Sequence, residues 1–299
     1  MRLLDRLAIA TLPYVPKPLM RPLAGRYIAG ETLGEALERL EALAERGHPG
    51  ILDVLGEDVA SEAAARGVAK TYIEAAHELA RRRLDAYVSI KPTHLGLRLG
   101  EQLCFELYDE VARATAELGL ALRVEMEDHT TTDGTLRVFE RLRAEHPHVG
   151  IVLQSRLVRT PADIAALAPG PLWVRMVKGI YLEPAAIAHT ENEPICEAYV
   201  ACTRQLFERG ASVSCATHDE FLAERLIQLV EQLDVPRERF EFQVLLGVRE
   251  PLWELWREAG HTVRVYVPYG PEWKPYSVRR LQKNPQIFGH VMRDLLPWR

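Results

Sequence analysis

Two adjacent arginines near the carboxyl end of the sequence have the spacing of an anion-binding pair. In the segment PYSVRR, residues 275–280, Arg279 and Arg280 follow Tyr276 by three and four positions. On a helix these three side chains share one face. Two neighbouring guanidinium groups repel each other unless an anion lies between them, and together they can hold a carboxylate or a phosphate. The pair therefore predicts either solvated or internally paired surface, or a site for a small anion.

Other polar residues fall at or near the ends of short apolar runs. Polar side chains on a buried strand need hydrogen-bonding or charged partners. The residues at these ends are Asp53, Glu57, Lys91, Thr93, Glu125, Glu127, Asp128, Gln154, Arg175, Lys178, Tyr181, Thr217, His218, Asp219, Gln243 and Tyr266. The set contains cations, neutral donors and tyrosines but no Ser/His/Asp or Cys/His combination, so it does not indicate hydrolysis. Amides such as those of Gln154 and Gln243 suit a heteroaromatic ring or a ribityl hydroxyl. The composition fits a large anionic, aromatic cofactor beside a small carboxylate.

No metal site is expected from the sequence. His218, in the segment ATHD, has no second histidine at ligand spacing, which favours a hydrogen-bonding role. The four cysteines form neither a CxxC pair nor a zinc-finger spacing. They are predicted to be free, mostly buried thiols in a reducing cytosol.

Eight nearly continuous apolar runs follow one another from residue 50 onward, as buried parallel strands do. They cover residues 50–57, 86–96, 120–130, 149–156, 172–181, 212–219, 240–248 and 262–270. Amphipathic stretches with helical periodicity lie between them, among them 98–118, 133–146, 193–209 and 219–233. Eight such units have the size and count of a (β/α)8 barrel, in which chemistry sits at the C-terminal ends of the strands.

The predicted fold class is therefore α/β, a (β/α)8 barrel of TIM type at residues 49–299. An open doubly wound sheet is the structural alternative, but no GxGxxG motif follows any run, so a Rossmann dinucleotide site is not supported. Residues 1–48 are predicted to form an N-terminal helical extension, in which Thr32 and Glu35 make a capping box. No linker or composition shift divides the barrel.

Charge and hydropathy argue against nucleic-acid binding and against a membrane-spanning segment. The net charge of -5 argues against nucleic acid. No apolar run approaches the roughly 18 residues of a membrane span, so no transmembrane segment is expected. The predicted location is the cytoplasm.

Four segments in chain order, MVKGIY, ATHD, FEFQ and YSVRR, resemble proline dehydrogenase, including the domain of that kind in bifunctional proline-utilisation proteins. The resemblance runs from about Ile51 to about Lys283. It implies a distorted barrel with noncovalently bound FAD. The implied reaction is oxidation of L-proline to Δ1-pyrroline-5-carboxylate, by hydride transfer from ring carbon C5 to flavin N5. This is the first step of proline catabolism to glutamate.

The resemblance also implies partners. A membrane quinone would reoxidise the flavin, which places the protein peripherally at the inner face of the membrane. The product would pass to pyrroline-5-carboxylate dehydrogenase.

The resemblance carries roles onto individual residues. Substrate contacts are implied for Lys91, Tyr181, Leu245, Tyr266, Tyr276, Arg279 and Arg280. Cofactor contacts are implied for Gln154, Arg175, Val177, Lys178, Gly179, Ala216, Thr217, His218 and Gln243. Catalytic roles are implied for Lys91, Glu125, Arg175 and Tyr266. In this assignment the arginine pair clamps the proline carboxylate, and Arg175 lies near the reactive flavin N5.

Three positions depart from the usual pattern of the family. Glu125 stands where Asp is usual, and its extra methylene changes its reach toward the lysine of the second strand, for which a third-strand acid is the expected partner. Ile180 stands where Ala is common and could narrow the pocket. Lys283 stands where Glu is common, which removes one expected partner of the arginine pair. Glu57 or Asp53 could replace that partner.

Three alternative functions stay open. Another barrel flavoenzyme, similar to methylenetetrahydrofolate reductase, would need space for folate or NAD(P)H. A Schiff-base aldolase would use Lys91 or Lys178 and would be colourless. A protein that binds a flavin or an amino acid without turnover is the third.

Overall fold

Eight parallel strands close into a barrel in sequence order. The structure of the protein is a computed structural model that describes residues 25–274 and 276–278. The strands are β1 (Gly50–Val54), β2 (Ala86–Ile90), β3 (Leu122–Val124), β4 (Val149–Gln154), β5 (Trp173–Val177), β6 (Ser212–Ala216), β7 (Phe240–Leu245) and β8 (Val263–Tyr269). The predicted α/β barrel is confirmed, and each strand begins within two residues of its predicted run.

Amphipathic helices connect the strands and cover the outside of the barrel. The α-helices are α1 (Leu33–Glu45), α2 (Glu62–Arg81), α3 (Glu101–Glu117), α4 (Thr132–Glu145), α5 (Thr160–Ala166), α6 (Asn192–Glu208), α7 (Glu220–Gln232) and α8 (Glu250–Glu258). Short 3-10 turns lie at Pro92–Leu95 and Arg237–Arg239. Within the described residues, no helix has the length and apolar character that crossing a membrane requires.

Helix α1 precedes the barrel and packs against strands β1 and β8. It begins with the predicted capping box, in which Thr32 Oγ1 accepts from the Glu35 amide and the Glu35 carboxylate accepts from the Thr32 amide. Leu40 lies directly over Gly50, where a Cβ atom would come within 2.2 Å of a Leu40 methyl group. A glycine at the start of β1 therefore allows the helix to approach. The predicted boundary of the extension at residue 48 stays a prediction.

The apolar residues form two layers separated by the strands. The larger cluster fills the space between the strands and the helices. A smaller one consists of Ile51, Tyr87 and Tyr266, and Ile51 pairs in register with both tyrosines on the neighbouring strands. Because alternate residues of a strand face opposite sides, this smaller cluster lies inside the barrel. All four cysteines are free and buried, as predicted.

The predicted runs extend beyond the strands, and their tails form the loops at the C-terminal end of the barrel. Strand β2 ends at Ile90, and Pro92 begins a 3-10 turn. Proline has no amide hydrogen, so it cannot continue the ladder to the next strand. The polar residue between them, Lys91, is thereby placed at the mouth of the barrel.

Candidate active site

A buried ion pair joins the first two strands where they leave the barrel. Lys91 Nζ lies 3.5 Å from Asp53 Oδ2 and 3.4 Å from the carbonyl oxygen of Gly56. Asp53 has no exposed surface. Burial raises the pKa of Asp53, and the adjacent Lys91 opposes that rise. The expectation that a third-strand carboxylate would pair with Lys91 is wrong, because Asp53 on the neighbouring strand holds the ammonium group.

Glu125 pairs instead with Arg175 of β5, across the interior of the barrel. Arg175 Nη1 donates to Glu125 Oε1 at 2.7 Å, and Ser89 Oγ donates to the same oxygen at 2.5 Å. The guanidinium carbon of Arg175 lies 4.7 Å from the ring centroid of Tyr266. Burial lowers the pKa of Arg175, but Glu125 and then Tyr266 raise it, and the net shift is upward. The glutamate at this position therefore serves the cation of β5.

Tyr266 connects the two ion pairs. Its hydroxyl lies near enough to Asp53 to oppose the rise in the pKa of that carboxyl, and its ring lies against Arg175. The residues predicted to be catalytic are thereby joined through Asp53 into one set: Lys91, Glu125, Arg175 and Tyr266. Asp53 was predicted at a strand end but without a role in this set. A single acid inside an otherwise apolar run was the available signal.

A second carboxyl group lies beside this set. Glu127 accepts from Thr93 twice, from the hydroxyl at 2.7 Å and from the amide at 2.9 Å. Burial raises the pKa of Glu127 to about 7, although the two bonds from Thr93 oppose the rise. A carboxyl group with this pKa can hold or release a proton near neutral pH. Glu127 follows Glu125 by two positions, which was the signal that both face the interior.

The loop after β5 approaches β4 closely at a glycine. Gly179 has a φ of +97°, and a Cβ atom there would lie 2.6 Å from Gln154 Oε1. Gln154 Nε2 in turn donates to the backbone carbonyl of Glu127 at 2.9 Å. Both the conformation and the space therefore require glycine at this position.

Polar groups at the ends of β5 and β6 are held by hydrogen bonds. Lys178 Nζ lies 2.6 Å from Asp219 Oδ2. Thr217 Oγ1 accepts from the Asp219 amide at 3.1 Å. His218 Nε2 accepts from the Leu245 amide at 2.9 Å, which is the hydrogen-bonding role expected of this residue. The His218 ring therefore spans from β6 to the end of β7.

The remaining predicted residues border the same end of the barrel where the structure describes them. Val177, Ala216 and Leu245 are half-buried final residues of their strands. Tyr181 is half-buried in the loop that follows β5. Tyr276 is half-buried and lies close enough to Lys91 to raise its pKa, after the larger effects of burial and Asp53.

Some predictions on this site are corrected or fall outside the described residues. Ile180 does not narrow the pocket, because its side chain is 53% exposed. The suggestion that Asp53 or Glu57 partners the arginine pair stays a prediction; in the structure Asp53 is buried beside Lys91. The proposed clamp, Arg279 and Arg280, and the departure at Lys283 lie outside the residues that the structure describes.

Two buried polar atoms of the site have no hydrogen-bond partner among the described residues. They are the carbonyl oxygen Oε1 of Gln243 and the Nε nitrogen of Arg175. Gln243 Nε2 is satisfied, since it donates to the Tyr87 hydroxyl at 2.8 Å and to Glu241 at 2.6 Å. A partner for both orphan atoms must supply a donor and an acceptor. An isoalloxazine ring carries both, so the chemistry of these residues fits a flavin.

The family model described as proline dehydrogenase matches residues 36–293. The chain belongs to the proline dehydrogenase family. A proline dehydrogenase of Deinococcus radiodurans is 35% identical over 97% of this chain and 96% of that protein. Proline dehydrogenase 1 of Bacillus subtilis strain 168 is 30% identical over 91% of this chain and 90% of its own length. The chain is thus an oxidoreductase of proline catabolism.

Bifunctional relatives match over part of their length. The bifunctional protein PutA of Escherichia coli K12 is 26% identical over 89% of this chain, which corresponds to 23% of PutA. The crystal structure of proline utilization A from Bdellovibrio bacteriovorus inactivated by N-propargylglycine superposes with a TM-score of 0.82 at 25% identity. That match covers 90% of this chain and 34% of that one. The chain therefore resembles the proline dehydrogenase family in its barrel fold as well as in its sequence.

Proposed function

We propose that this member of the proline dehydrogenase family oxidises L-proline to Δ1-pyrroline-5-carboxylate with FAD as its cofactor. The observation that carries the proposal is the connected set of Lys91, Asp53, Tyr266, Arg175 and Glu125 at the C-terminal end of the barrel. Each of its two cations is already paired with a carboxylate, so the charge that holds the substrate carboxylate would come from Arg279 and Arg280. FAD, when bound, supplies the acceptor at flavin N5 for the hydride that leaves ring carbon C5.

The residues proposed to hold the cofactor include the two that carry the orphan atoms. They are Gln154, Arg175, Val177, Lys178, Gly179, Ala216, Thr217, His218 and Gln243. Arg175 would place a positive charge beside the electron-rich reduced ring and stabilise it. Gly179 keeps the backbone close to β4, where any side chain would clash with Gln154.

The substrate site is proposed to lie against the same set. Arg279 and Arg280 would hold the carboxylate bidentately and fix the orientation of the ring. Tyr181, Leu245, Tyr266 and Tyr276 would enclose the apolar part and exclude water. The ring nitrogen must be deprotonated to release the hydride, so we expect the rate to rise between about pH 6 and pH 9.

The electron acceptor and the location are further proposals. A membrane quinone would reoxidise the cofactor at the inner face of the membrane, and the product would pass to pyrroline-5-carboxylate dehydrogenase. The aromatic segment 251–257, PLWELWR, would be one candidate for lipid contact. Its tryptophans Trp253 and Trp256 are buried, with Trp256 stacked on Phe242 at 4.4 Å, so they pack on the protein itself.

The Schiff-base alternative is disfavoured by the charges of the two candidate lysines. A Schiff-base lysine needs a lowered pKa to react as a neutral amine. Burial alone would lower the pKa of Lys91, but the Asp53 carboxylate reverses this and the net shift is upward. Lys178 forms an ion pair with Asp219 at 2.6 Å.

An anaerobic titration tests the proposal. The purified protein should be yellow, and L-proline should bleach its absorbance near 450 nm (the flavin band) in the absence of oxygen. Arg279→Met and Arg280→Met should each raise KM by about tenfold or more and leave FAD bound, because each loses a charge-assisted pair. A colourless protein trapped by borohydride with a carbonyl substrate would support the aldolase instead. A yellow protein that proline does not bleach would refute proline oxidation.

A further inference from the structure

The loop after β5 crosses the mouth of the barrel as a flap, which we define as residues 179–186. Both ends of the flap are fixed to the loop after β4 by backbone hydrogen bonds. At one end the Arg156 amide donates to the Lys178 carbonyl at 3.0 Å. At the other end the Val158 amide donates to the Ile187 carbonyl at 3.0 Å, and the His189 amide donates to the Arg156 carbonyl at 2.8 Å. Between these ends residues 180, 182 and 184–186 are exposed.

Successive side chains of the flap face opposite directions. Ile180 and Leu182 are 53% and 86% exposed. Tyr181 between them is half-buried, and burial raises its pKa, with the carboxylates of Glu127 and Glu57 adding to the rise. Tyr181 therefore turns toward the acidic mouth of the barrel, whereas its two neighbours turn toward solvent.

One side chain of the flap reaches back to the loop after β3. The Glu183 side chain is only 1% exposed, and both of its oxygens bind His129. Glu183 Oε1 accepts from the His129 amide at 3.0 Å, and Oε2 accepts from His129 Nδ1 at 2.5 Å. On the other side of the flap, Arg156 Nη1 donates to the Tyr181 carbonyl at 2.9 Å. The flap around Tyr181 is thus bound to the loop after β4 through Arg156 and to the loop after β3 through Glu183.

We propose that the pair of Glu183 and His129 is a latch that positions Tyr181 over the substrate. This inference rests on the proposed function, in which Tyr181 forms part of the substrate wall. A buried carboxylate is costly unless it is hydrogen-bonded, so the two bonds from His129 stabilise the conformation of the flap in which Glu183 is buried. Loss of the latch would remove the contact between the flap and the loop after β3, so more of the entropic cost of ordering the flap would fall at substrate binding.

Kinetics of Glu183→Ala test the latch against a control on the same flap. We expect KM for L-proline to rise about tenfold, with kcat changed less than about twofold, because the lost contact orders the binding site rather than the reacting atoms. Leu182→Ala is the matched control, since Leu182 is 86% exposed on the same flap. His129→Ala should give a smaller effect, because the amide of residue 129 still donates to Glu183.

A double-mutant cycle separates positioning from general structural damage. In a Tyr181→Ala background, Glu183→Ala should raise KM no further, because the latch acts through the missing side chain. Additive losses would refute positioning of Tyr181. A Glu183→Ala enzyme with the KM of the parent would refute the latch.

Hydrogen exchange tests the latch without relying on turnover. Amides of the flap and the amide of His129 should exchange faster in Glu183→Ala than in the parent or in Leu182→Ala. Unchanged exchange would refute the latch whatever the kinetics show. A parent protein that is colourless or inert toward proline would refute the proposed function instead, while the exchange experiment would still decide the latch.

Discussion

Replacing Glu125 with glutamine removes the counter-ion of a buried cation while nearly preserving shape. The side chains of Arg175 and Glu125 are 9% and 12% exposed, and their closest atoms are 2.7 Å apart. Removing one partner of a buried pair leaves the other charge uncompensated, which costs about 3–5 kcal/mol. At about 2 °C per kcal/mol for a chain of this size, the melting midpoint should fall by about 6–10 °C.

The assay is thermal unfolding with saturating FAD, so that ligand stabilisation acts on every variant. Glu125→Asp keeps the charge and should retain most of the stability. Glu62→Gln is the exposed control, because it breaks the pair of Glu62 with Arg66, whose side chains are 61% and 44% exposed. Exposed pairs contribute little, so its midpoint should not move. If Glu125→Gln melted with the parent, Arg175 would not depend on Glu125 for its charge, and the reasoning would fail.

Other perturbations address the neighbouring groups. Lys91→Met should destabilise the protein by about 3 kcal/mol in urea unfolding, and adding Asp53→Asn should restore most of that loss, because no buried charge is then left alone. The pKa of Glu127 is raised to about 7, so its contribution to stability is fully present below its ordinary pKa and is lost as pH rises. The parent and Glu127→Gln should therefore be compared by urea unfolding at a series of fixed pH values. Between about pH 4.5 and pH 7 the free energy of unfolding of the parent should fall by about 3 kcal/mol relative to that of Glu127→Gln. A difference between the two proteins that stays constant with pH would contradict this. Gly179→Ala should weaken FAD binding, measured by fluorescence titration, because the new methyl group collides with Gln154; unchanged affinity would show that the flap yields without cost.

The barrel could be predicted from sequence because buried parallel strands are continuously apolar. All eight runs were found, and Thr32 and Glu35 marked the start of α1 correctly. The ends of the strands were harder to place. The third run was predicted over residues 120–130, whereas β3 covers only Leu122–Val124. The Glu125 amide still donates to the Ile90 carbonyl of β2 at 2.9 Å, but the polar tail beyond β3 forms a loop in which Glu127 binds Thr93.

The pairing of charges could not be predicted, because it depends on which side chain reaches which across a closed barrel. Strands β1 and β3 both flank β2, so sequence order alone did not choose between Asp53 and Glu125 as the partner of Lys91. The partner of Glu125 lies on β5, two strands away around the barrel. Tyr72, whose hydroxyl donates to Asp53 at 3.2 Å, comes from the outer helix α2 and carries no signal in sequence.

The burial of every native thiol makes the protein suited to site-specific labelling. Burial raises the pKa of Cys202 to about 11 and that of Cys215 to about 12, and Cys104 and Cys196 are no more than 4% exposed. Thiolates, which react with maleimides, are therefore scarce in the folded chain at neutral pH. A cysteine introduced at Leu182 would carry a fluorophore selectively, with the native four left in place. Movement of the flap could then be followed by fluorescence in a protein that keeps its four native cysteines.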